Sequence, residues 1–392
     1  MASYYMLKPV RESLFLHYQG VKNFPKVHIL TVFVTYFAAQ FYDLLGRHIA
    51  PSRLAIYSAP TFAALIVAFW AVIRSISPES SAFPALVWIY YQAVSLYAVF
   101  VVALFWGLTN GAFRPDEGQK HYGIIGAGGI LGGAVGGSLT EHLAQQLGSH
   151  NLLPLSALLI LPCYFLARTL DACRQPSPES PGQQRTSSLR LLFENRYVGA
   201  MGLLIMLTLG VEEFGDHQTQ RVLEDSHLSR DQITEFYGRL FFYTNLLGCL
   251  ISLLLTRAIQ SRFGPGPGLI GLQLAASAKA IGICIWPTTD CLLWLLSLDL
   301  AMHYSLFQSS KELLYIPTSR EVKLRAKTLI DTFLFRLGAG GAALVVLLFL
   351  VQAEQTTISA CLVALALCAS GVGYWLHCRY QELTRLPQNK RP

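Results

Sequence analysis

Charged side chains stand inside stretches of the sequence that are otherwise apolar. A charge in apolar surroundings is unfavourable unless a partner or a ligand compensates it. Ammonium and guanidinium groups in such places attract phosphate and carboxylate groups. The basic residues of this kind are Lys8, Arg11, Arg239, Lys279, Lys311 and Arg336. The acidic residues are Glu12, Glu212, Glu213, Asp216, Asp299, Glu312 and Asp331.

Lys8 and Arg11 are the first candidates for an anion site. They are three residues apart, so on a helix they share one face. Glu12 adjoins Arg11 and is expected to position it. Lys311 is the third candidate for the same chemistry. The residues interpreted instead as structural ion pairs, or as side chains that reach water from helix ends, are Arg239, Asp299 and Asp331.

Three acidic residues lie close together at 212–216. Glu212 and Asp216 are four residues apart, so we expect them to point together toward a central cavity. Glu213 diverges from that face. We expect it to find a basic partner such as Arg239.

The composition is that of a membrane protein. Of the 392 residues 53% are hydrophobic and 14% are charged, and the mean hydropathy is +0.42. Soluble proteins carry about a quarter charged residues, so this chain could not cover a surface that faces water. A soluble enzyme, a secreted disulfide scaffold and a nucleic-acid-binding domain are excluded. The net charge of +7 follows membrane topology instead.

Apolar stretches long enough to cross a bilayer recur along the chain. The predicted spans are 3–18, 27–46, 53–73, 83–112, 121–146, 151–170, 197–220, 233–258, 263–287, 290–316, 327–351 and 356–378. The first is short, and we expect that the natural chain begins further upstream. A segment rich in Pro, Ser, Gln and Arg at 171–196 divides the spans six to six.

This layout predicts an all-α polytopic membrane protein with twelve transmembrane helices in two six-helix bundles, the major facilitator fold. Residues 1–170 form the first bundle, 171–196 the cytoplasmic linker, and 197–392 the second bundle with a cytoplasmic tail. One buried charge costs a membrane helix about 2.5–3.5 kcal/mol. The many charges within the spans therefore predict a hydrated cavity lined by protein.

The basic residues of the loops predict the orientation. Most of them fall on the side of the linker and the two termini, which places that side in the cytoplasm. The loops on the opposite side hold Lys22, Lys26, Arg74, Arg221 and Arg230.

Two further patterns concern packing and gating. In the fifth span, glycines recur every four residues from Gly128 and from Gly129, which favours close approach of helices. Asp43 and Arg47, at the cytoplasmic end of span 2, resemble a shortened form of the loop motif that latches the two halves of major facilitators.

We find no metal-ligand spacing, nucleophile elbow or catalytic pair of carboxylates, so we predict neither enzyme activity, nor a cofactor, nor a metal.

Two passages resemble a known family. They are YYMLKPVRESLFL at 4–16 and SLFQSSKELLYIPTSREVKLRAKTLIDTFLFRLG at 305–338. The first resembles the K-P-x-R-[DE] element, and the second the K-E-[ML]-x-Y-I-P segment, of the ATP/ADP antiporters of plastids and intracellular bacteria and their broader bacterial relatives. Weaker similarity runs through FWGLTNGAFRPDEGQKHYGIIGAGGILGG and through VEEFGDHQTQRVL at 211–223.

The resemblance implies a nucleotide exchanger of the bacterial inner membrane, acting on a small anionic solute. The residues that would hold phosphate oxygens are Lys8, Arg11, Lys311 and Arg336. The charge partners or coupling residues would be Glu12, Glu212, Glu213, Asp216, Glu312 and Asp331. Ala339 stands where the antiporters have a lysine, so a related phosphorylated anion is also considered as substrate. We expect a monomer in the lipid bilayer and no nucleic-acid partner.

Two alternatives stay open. One is a proton-coupled major facilitator that transports another solute, such as a metabolite, a siderophore or a lipid, with Glu212 or Glu213 as the titrating group. The other is a membrane receptor that kept the fold without transport. The number of cations in the spans favours the anion transporter.

Overall fold

The chain is helical in the computed structural model. The described residues contain no strand, and they are 1–46, 49, 51–112, 115–172, 195–318, 327 and 329–385. The helices of the first half are α1 Ala2–Gln19, α2 Phe24–Gly46, α3 Pro51–Ser75, α4 Phe83–Ala112, α5 Pro115–Leu147, and α6, made of Leu152–Leu158 and Leu161–Ala172. The uninterrupted helices of the second half are α7 Arg196–Asp225, α9 Gly266–Ile285 and α12 Gln355–Arg385.

Three helices of the second half contain π-helical segments, where the backbone is wider than an α-helix. The helix α8 consists of Arg230–Leu250, π-helical Ile251–Thr256 and Arg257–Phe263. The helix α10 consists of Thr289–Met302, π-helical His303–Phe307 and Gln308–Leu313. The helix α11 consists of π-helical Leu329–Leu334, Phe335–Val345 and π-helical Val346–Leu350. Such segments are rare and often occur at functional sites.

The twelve predicted spans coincide with these twelve helices of the described residues, to within several residues at each end. Ten of the helices are long and apolar enough to cross a membrane. The two others are α1 and α5. The helix α1 carries Lys8, Arg11 and Glu12, and α5 is rich in glycine, so polar and small residues replace part of the apolar content that marks a span.

Two compact units make up the chain. The N-terminal unit consists of Met1–Pro181 and His227–Leu246, and the C-terminal unit of Gly182–Ser226 and Leu247–Pro392. The first part of α8 thus belongs with α1 to α6. Most of the predicted linker lies outside the described residues, so a division at 171–196 stays a prediction.

The core of the N-terminal unit is built around α1, which contacts α4, α5 and α6. Its apolar side chains Met6, Leu7, Leu14 and Phe15 are at most 1% exposed. Burying each such side chain contributes about 1.5–3 kcal/mol. The charged residues of α1 are therefore carried by the most enclosed helix of this unit.

Glycines of α5 let two other helices approach it. A Cβ atom at Gly132 would lie 3.3 Å from the backbone nitrogen of Ala2 in α1. At Gly137 it would lie 2.6 Å from the backbone nitrogen of Phe242 in α8. The distance at Gly137 is too short for a side chain and that at Gly132 is tight, so the glycine repeat packs α5 closely against α1 and α8, as the spacing predicts.

In the C-terminal unit, α7, α9 and α12 pack against one another. Their shared core includes fully buried Leu204, Leu269 and Leu376. The helix α11 packs on the same side of α7 through its central α-helical part. This core fixes the helices that carry the charged residues of the second half.

Candidate functional site

Lys8 lies over an aromatic ring. Its Nζ is 4.5 Å from the centroid of the Phe241 ring, which α8 contributes to the N-terminal unit. Among the side chains that the structure describes, Lys8 has no carboxylate within ion-pair distance. An aromatic face attracts a cation without neutralising its charge, so the positive charge of Lys8 stays available.

The Phe241 ring is itself held by aromatic neighbours. It makes an edge contact with Tyr5, at 5.3 Å between centroids, and a stacked contact with Tyr237 at 6.2 Å. Phe241 is 3% exposed. The position of the ring under Lys8 is therefore determined by packing between α1 and α8.

Pro9 shapes the helix at the same place. A proline lacks the N–H that would bond the carbonyl four residues earlier, here that of Tyr5. The hydroxyl of Thr140 in α5 shares its hydrogen between this carbonyl oxygen, at 3.4 Å, and that of Gly136, at 2.9 Å. Hydroxyl groups of neighbouring helices commonly replace such a bond in membranes. The break in hydrogen bonding beside Lys8 is thus compensated by α5.

Arg11 is buried and has several partners. Its Nε donates to Glu12 Oε1 at 3.1 Å, and a terminal nitrogen of the guanidinium pairs with the same oxygen. The other terminal nitrogen donates to the hydroxyl of Ser95 at 3.0 Å, and the guanidinium lies 4.3 Å from the ring centroid of Tyr91. Arg11 thus contacts α4, whereas Lys8 contacts α8, although the two were expected to share a face.

A polar cluster joins the end of α1 to the start of α8. The hydroxyl groups of Ser13 and Thr234 are 2.5 Å apart, and Ser149 donates to Thr234 at 2.8 Å. The backbone N–H of Ser149 also donates to Asp231 at 2.9 Å. This cluster was not predicted, because hydroxyl residues in an apolar stretch carry no distinctive spacing.

Arg239 forms ion pairs within the N-terminal unit. It bonds Glu235 Oε1 at 2.7 Å, one turn earlier on α8, and Glu141 Oε1 of α5 at 3.3 Å. The interpretation of Arg239 as a structural residue agrees with these contacts. Its pairing with Glu213 stays a prediction.

Three lysines described in the C-terminal unit are paired with carboxylates of other segments. Lys279 of α9 is 2% exposed and pairs with Asp299 of α10, which is 7% exposed. Lys311 Nζ lies 3.1 Å from Asp331 Oδ1. A third pair joins Lys327 Nζ to Glu312 Oε2 at 2.7 Å.

Glu212 faces a residue that the sequence analysis did not single out. Its Oε1 lies 2.6 Å from Nδ1 of His303, the first residue of the π-helical segment of α10. Asp299 precedes His303 by one turn. A lone histidine in an apolar span resembles a packing residue, so no local signal distinguished it.

The other predicted acidic residues differ in burial. Asp216 is exposed, whereas Glu212 and Glu213 are partly buried, so the expected shared face of Glu212 and Asp216 is not uniformly enclosed. Arg336 in α11 is partly buried. The predicted latch lies outside the described side chains, since Arg47 and the carboxylate of Asp43 are not among them.

The described side chains offer cation and proton chemistry. No group of three His, Cys, Asp or Glu residues among them is placed to hold a metal ion. In the N-terminal unit they provide Lys8 on the ring of Phe241. In the C-terminal unit they provide lysines and a histidine that lie next to carboxylates. Ammonium and guanidinium groups are the side chains that pair with phosphate and carboxylate groups.

The sequence was compared with known proteins. The family model described as TLC ATP/ADP transporter matches residues 296–384. ADP,ATP carrier protein 1 of Chlamydia pneumoniae is 23% identical over 65% of this chain and 59% of its own length. ADP,ATP carrier protein 3 of Rickettsia conorii is 22% identical over 69% of this chain and 64% of its own. The chain thus spans about three fifths of these relatives.

Solved structures establish the fold. The nucleoside transporter NupG matches with a TM-score of 0.59, at 13% identity, over 98% of both chains. A bacterial homologue of the iron transporter ferroportin matches with a TM-score of 0.54, at 16% identity, over 96% of this chain and 97% of that one. The predicted fold class and the resemblance are both confirmed. The chain is a multi-pass membrane protein with the major facilitator fold, and its sequence is similar to the ATP/ADP carriers.

Proposed function

We propose that the protein is a secondary transporter of a nucleotide or a similar phosphorylated organic anion. It works by alternating access and exchanges one anion for another across the bacterial inner membrane. The observation that carries the proposal is Lys8, a cation in the most enclosed helix of its unit that rests on Phe241 and has no carboxylate partner among the described side chains. Similarity to ADP,ATP carriers over 65–69% of the chain supports it.

The chemistry of Lys8 suits a phosphate group. Its ammonium has three donors on a flexible stem, and phosphate oxygens accept such bonds. In surroundings of low dielectric constant the attraction between opposite charges is several times stronger than in water. An incoming phosphate would thus compensate a charge that the described side chains leave without a carboxylate.

The other predicted cations take different parts in this proposal. Arg11 acts as a positioning residue, because Glu12 and Ser95 already accept from its guanidinium. Lys311 can exchange its partner, because a phosphate competes with Asp331 for the same ammonium group. Arg336 of α11 is the further cation of the C-terminal unit that would hold phosphate oxygens. Glu213, Asp216 and Glu312 serve as charge partners that restore neutrality when the anion leaves.

Binding to the purified full chain in detergent tests the substrate class. ADP and ATP are expected to raise the thermal midpoint, adenosine is not, and the effect should shrink as salt rises, because the attraction is electrostatic. Lys8→Gln should lower the affinity for ADP about 10-fold or more, as the loss of a charged hydrogen bond predicts. Lys22→Gln, at an exposed lysine of the loop after α1, is the matched control. Equal binding of adenosine and ADP would reject the proposal.

Exchange is tested in liposomes. Vesicles that contain the protein and internal ADP should take up labelled ATP, and vesicles without internal nucleotide should not. Uptake that is indifferent to internal nucleotide would reject exchange while leaving the substrate class intact.

The orientation has its own test. A single cysteine introduced at 180–185, in a variant without the native cysteines, should react with a membrane-impermeant reagent from the cytoplasmic side alone. Labelling from the outer side of intact cells would overturn the topology.

A further inference from the structure

Glu212 and His303 form a pair that the binding of an anion does not by itself require. They come from α7 and α10 of the C-terminal unit, and Glu212 Oε1 is 2.6 Å from His303 Nδ1. The two atoms are within ion-pair distance, and a carboxylate so placed attracts an imidazolium. The side chains are 37% and 24% exposed, so the pair is not sealed inside the packing.

The groups around His303 come from each helix that packs on it. Asp299 lies one turn earlier on α10 and pairs with Lys279 of α9. Lys311, one turn beyond the π-helical segment, lies within electrostatic range of the ring and pairs with Asp331 of α11. The π-helical segment of α8 that packs on the same part of α10, Ile251–Thr256, carries no ionisable side chain.

The formal charge of this group depends on one proton. The carboxylates of Glu212, Asp299 and Asp331 stand against the ammonium groups of Lys279 and Lys311, which leaves one excess negative charge while the imidazole is neutral. A proton on the imidazole makes the sum zero. An anion that approaches Lys311 meets less repulsion in the protonated state, because one more positive charge lies nearby.

We propose that His303, held by Glu212, binds a proton together with the anion at Lys311, so that a proton is a co-substrate of transport. This rests on the proposed function, since the anion at Lys311 is part of it. The incoming proton adds from water to the unprotonated nitrogen of the neutral ring, which makes the ring an imidazolium beside the carboxylate of Glu212. It returns to water when the anion leaves, and no other bond forms or breaks.

Linkage makes the effect reciprocal. If the proton improves anion binding, the anion improves proton binding by the same factor. Histidine changes charge between about pH 5 and 8, so the affinity for the anion should fall across this range as pH rises. If the anion shifts the proton equilibrium of His303 by one pH unit, the protonated protein binds the anion about 10-fold more tightly than the unprotonated protein does.

Calorimetry of ADP binding to the full chain measures the proton directly. Heats recorded in buffers of different ionisation enthalpy should show uptake of up to one proton per ADP in the wild type. His303→Gln should abolish the uptake and flatten the pH dependence of affinity. His142→Gln, at an exposed histidine bonded to its own helix, is the matched control. ADP binding with no proton uptake in the wild type would overturn the co-substrate and leave the proposed function standing.

A second measurement does not depend on the nucleotide. In protein with isotope-labelled histidine, the resonance missing from His303→Gln identifies the ring, and its chemical shift is followed against pH. We expect a titration in the range about 5–8 that moves in Glu212→Gln. A ring that does not titrate, or that ignores Glu212→Gln, would overturn the proton site. Failure of ADP to bind at every pH would instead count against the proposed function.

Discussion

Lys8 of the first helix and Lys279 of the C-terminal unit differ in the groups that surround their charge. Lys8 lies on the ring of Phe241 and has no carboxylate partner among the described side chains, whereas Lys279 is fully enclosed with Asp299. The carboxylate of an ion pair offsets the charge of its lysine, whereas an aromatic face carries no negative charge that would offset it. The number of cations in the spans therefore says little about ligand binding, because the partner of each cation decides whether it can hold an anion.

Lys311 is intermediate between these two cases. It has a carboxylate partner, Asp331, at 3.1 Å, and its side chain is 13% exposed while that of Asp331 is 33% exposed. Water reaches the carboxylate, so breaking this pair costs less than breaking an enclosed one. A ligand can therefore replace Asp331 more readily than it can replace Asp299.

The largest effect on stability is expected at the enclosed pair of Lys279 and Asp299. Asp299→Ala should lower the free energy of unfolding by about 3–5 kcal/mol, because Lys279 is left buried without a partner. Denaturant titration of the purified protein measures it. Adding Lys279→Met should restore most of the loss. The matched exposed pair is Lys327 with Glu312, where Glu312→Ala should cost about 1 kcal/mol or less. Equal costs at the two pairs would contradict the comparison.

The next effect separates binding from stability at Lys8. Lys8→Met should weaken ADP binding by about 1.5–3 kcal/mol, the contribution of a hydrogen bond to a charged group. The unfolding midpoint should hardly change, since no described carboxylate loses a partner. Lys311→Met should both weaken binding and lower the midpoint, because Asp331 is orphaned. Loss of stability in Lys8→Met without loss of binding would reverse the assignment.

The spans could be predicted from the sequence because their signal is local. Bilayer thickness sets the length of each apolar stretch, so helices such as α3, α4 and α9 were found with their approximate ends. The π-helical segments were not predicted. They depend on how neighbouring helices pack, and residues such as Leu329–Leu334 have no composition that marks them.

The candidate residues were predictable and their partners were not. The charged residues at positions 279, 299, 311 and 331 can be recognised in the sequence because they interrupt apolar stretches. Which acid meets which base depends on contacts between residues twenty positions apart, on different helices. The aromatic surface under Lys8 was missed for the same reason: Phe241 is far away in the sequence and looks like any residue of an apolar span.

A medium effect is expected from the packing that brings Phe241 under Lys8. In Gly137→Ala, the new Cβ would lie 2.6 Å from the backbone nitrogen of Phe242 and 2.8 Å from the backbone oxygen of Gly238. Backbone atoms cannot yield as a flexible side chain does, so α5 and α8 must separate, at about 1–3 kcal/mol of stability. The unfolding midpoint and ADP affinity should both fall. Gly128→Ala, with open space around the new atom, should leave both unchanged or raise the midpoint slightly.

The smallest effect concerns the aromatic ring itself. Phe241→Leu keeps the site apolar and removes the face that holds the ammonium of Lys8, which is worth about 0.5–2 kcal/mol as a cation–π contact. If the ring keeps Lys8 extended toward the ligand, ADP affinity should fall by about 5-fold, and Lys8→Met should add less in this background than in the wild type. A double-mutant cycle on ADP binding measures the coupling. Phe242→Leu, one position further along α8, serves as control. Coupling of zero would mean that Lys8 acts without the ring, and the contrast between an aromatic partner and an acidic one would then lose its physical basis.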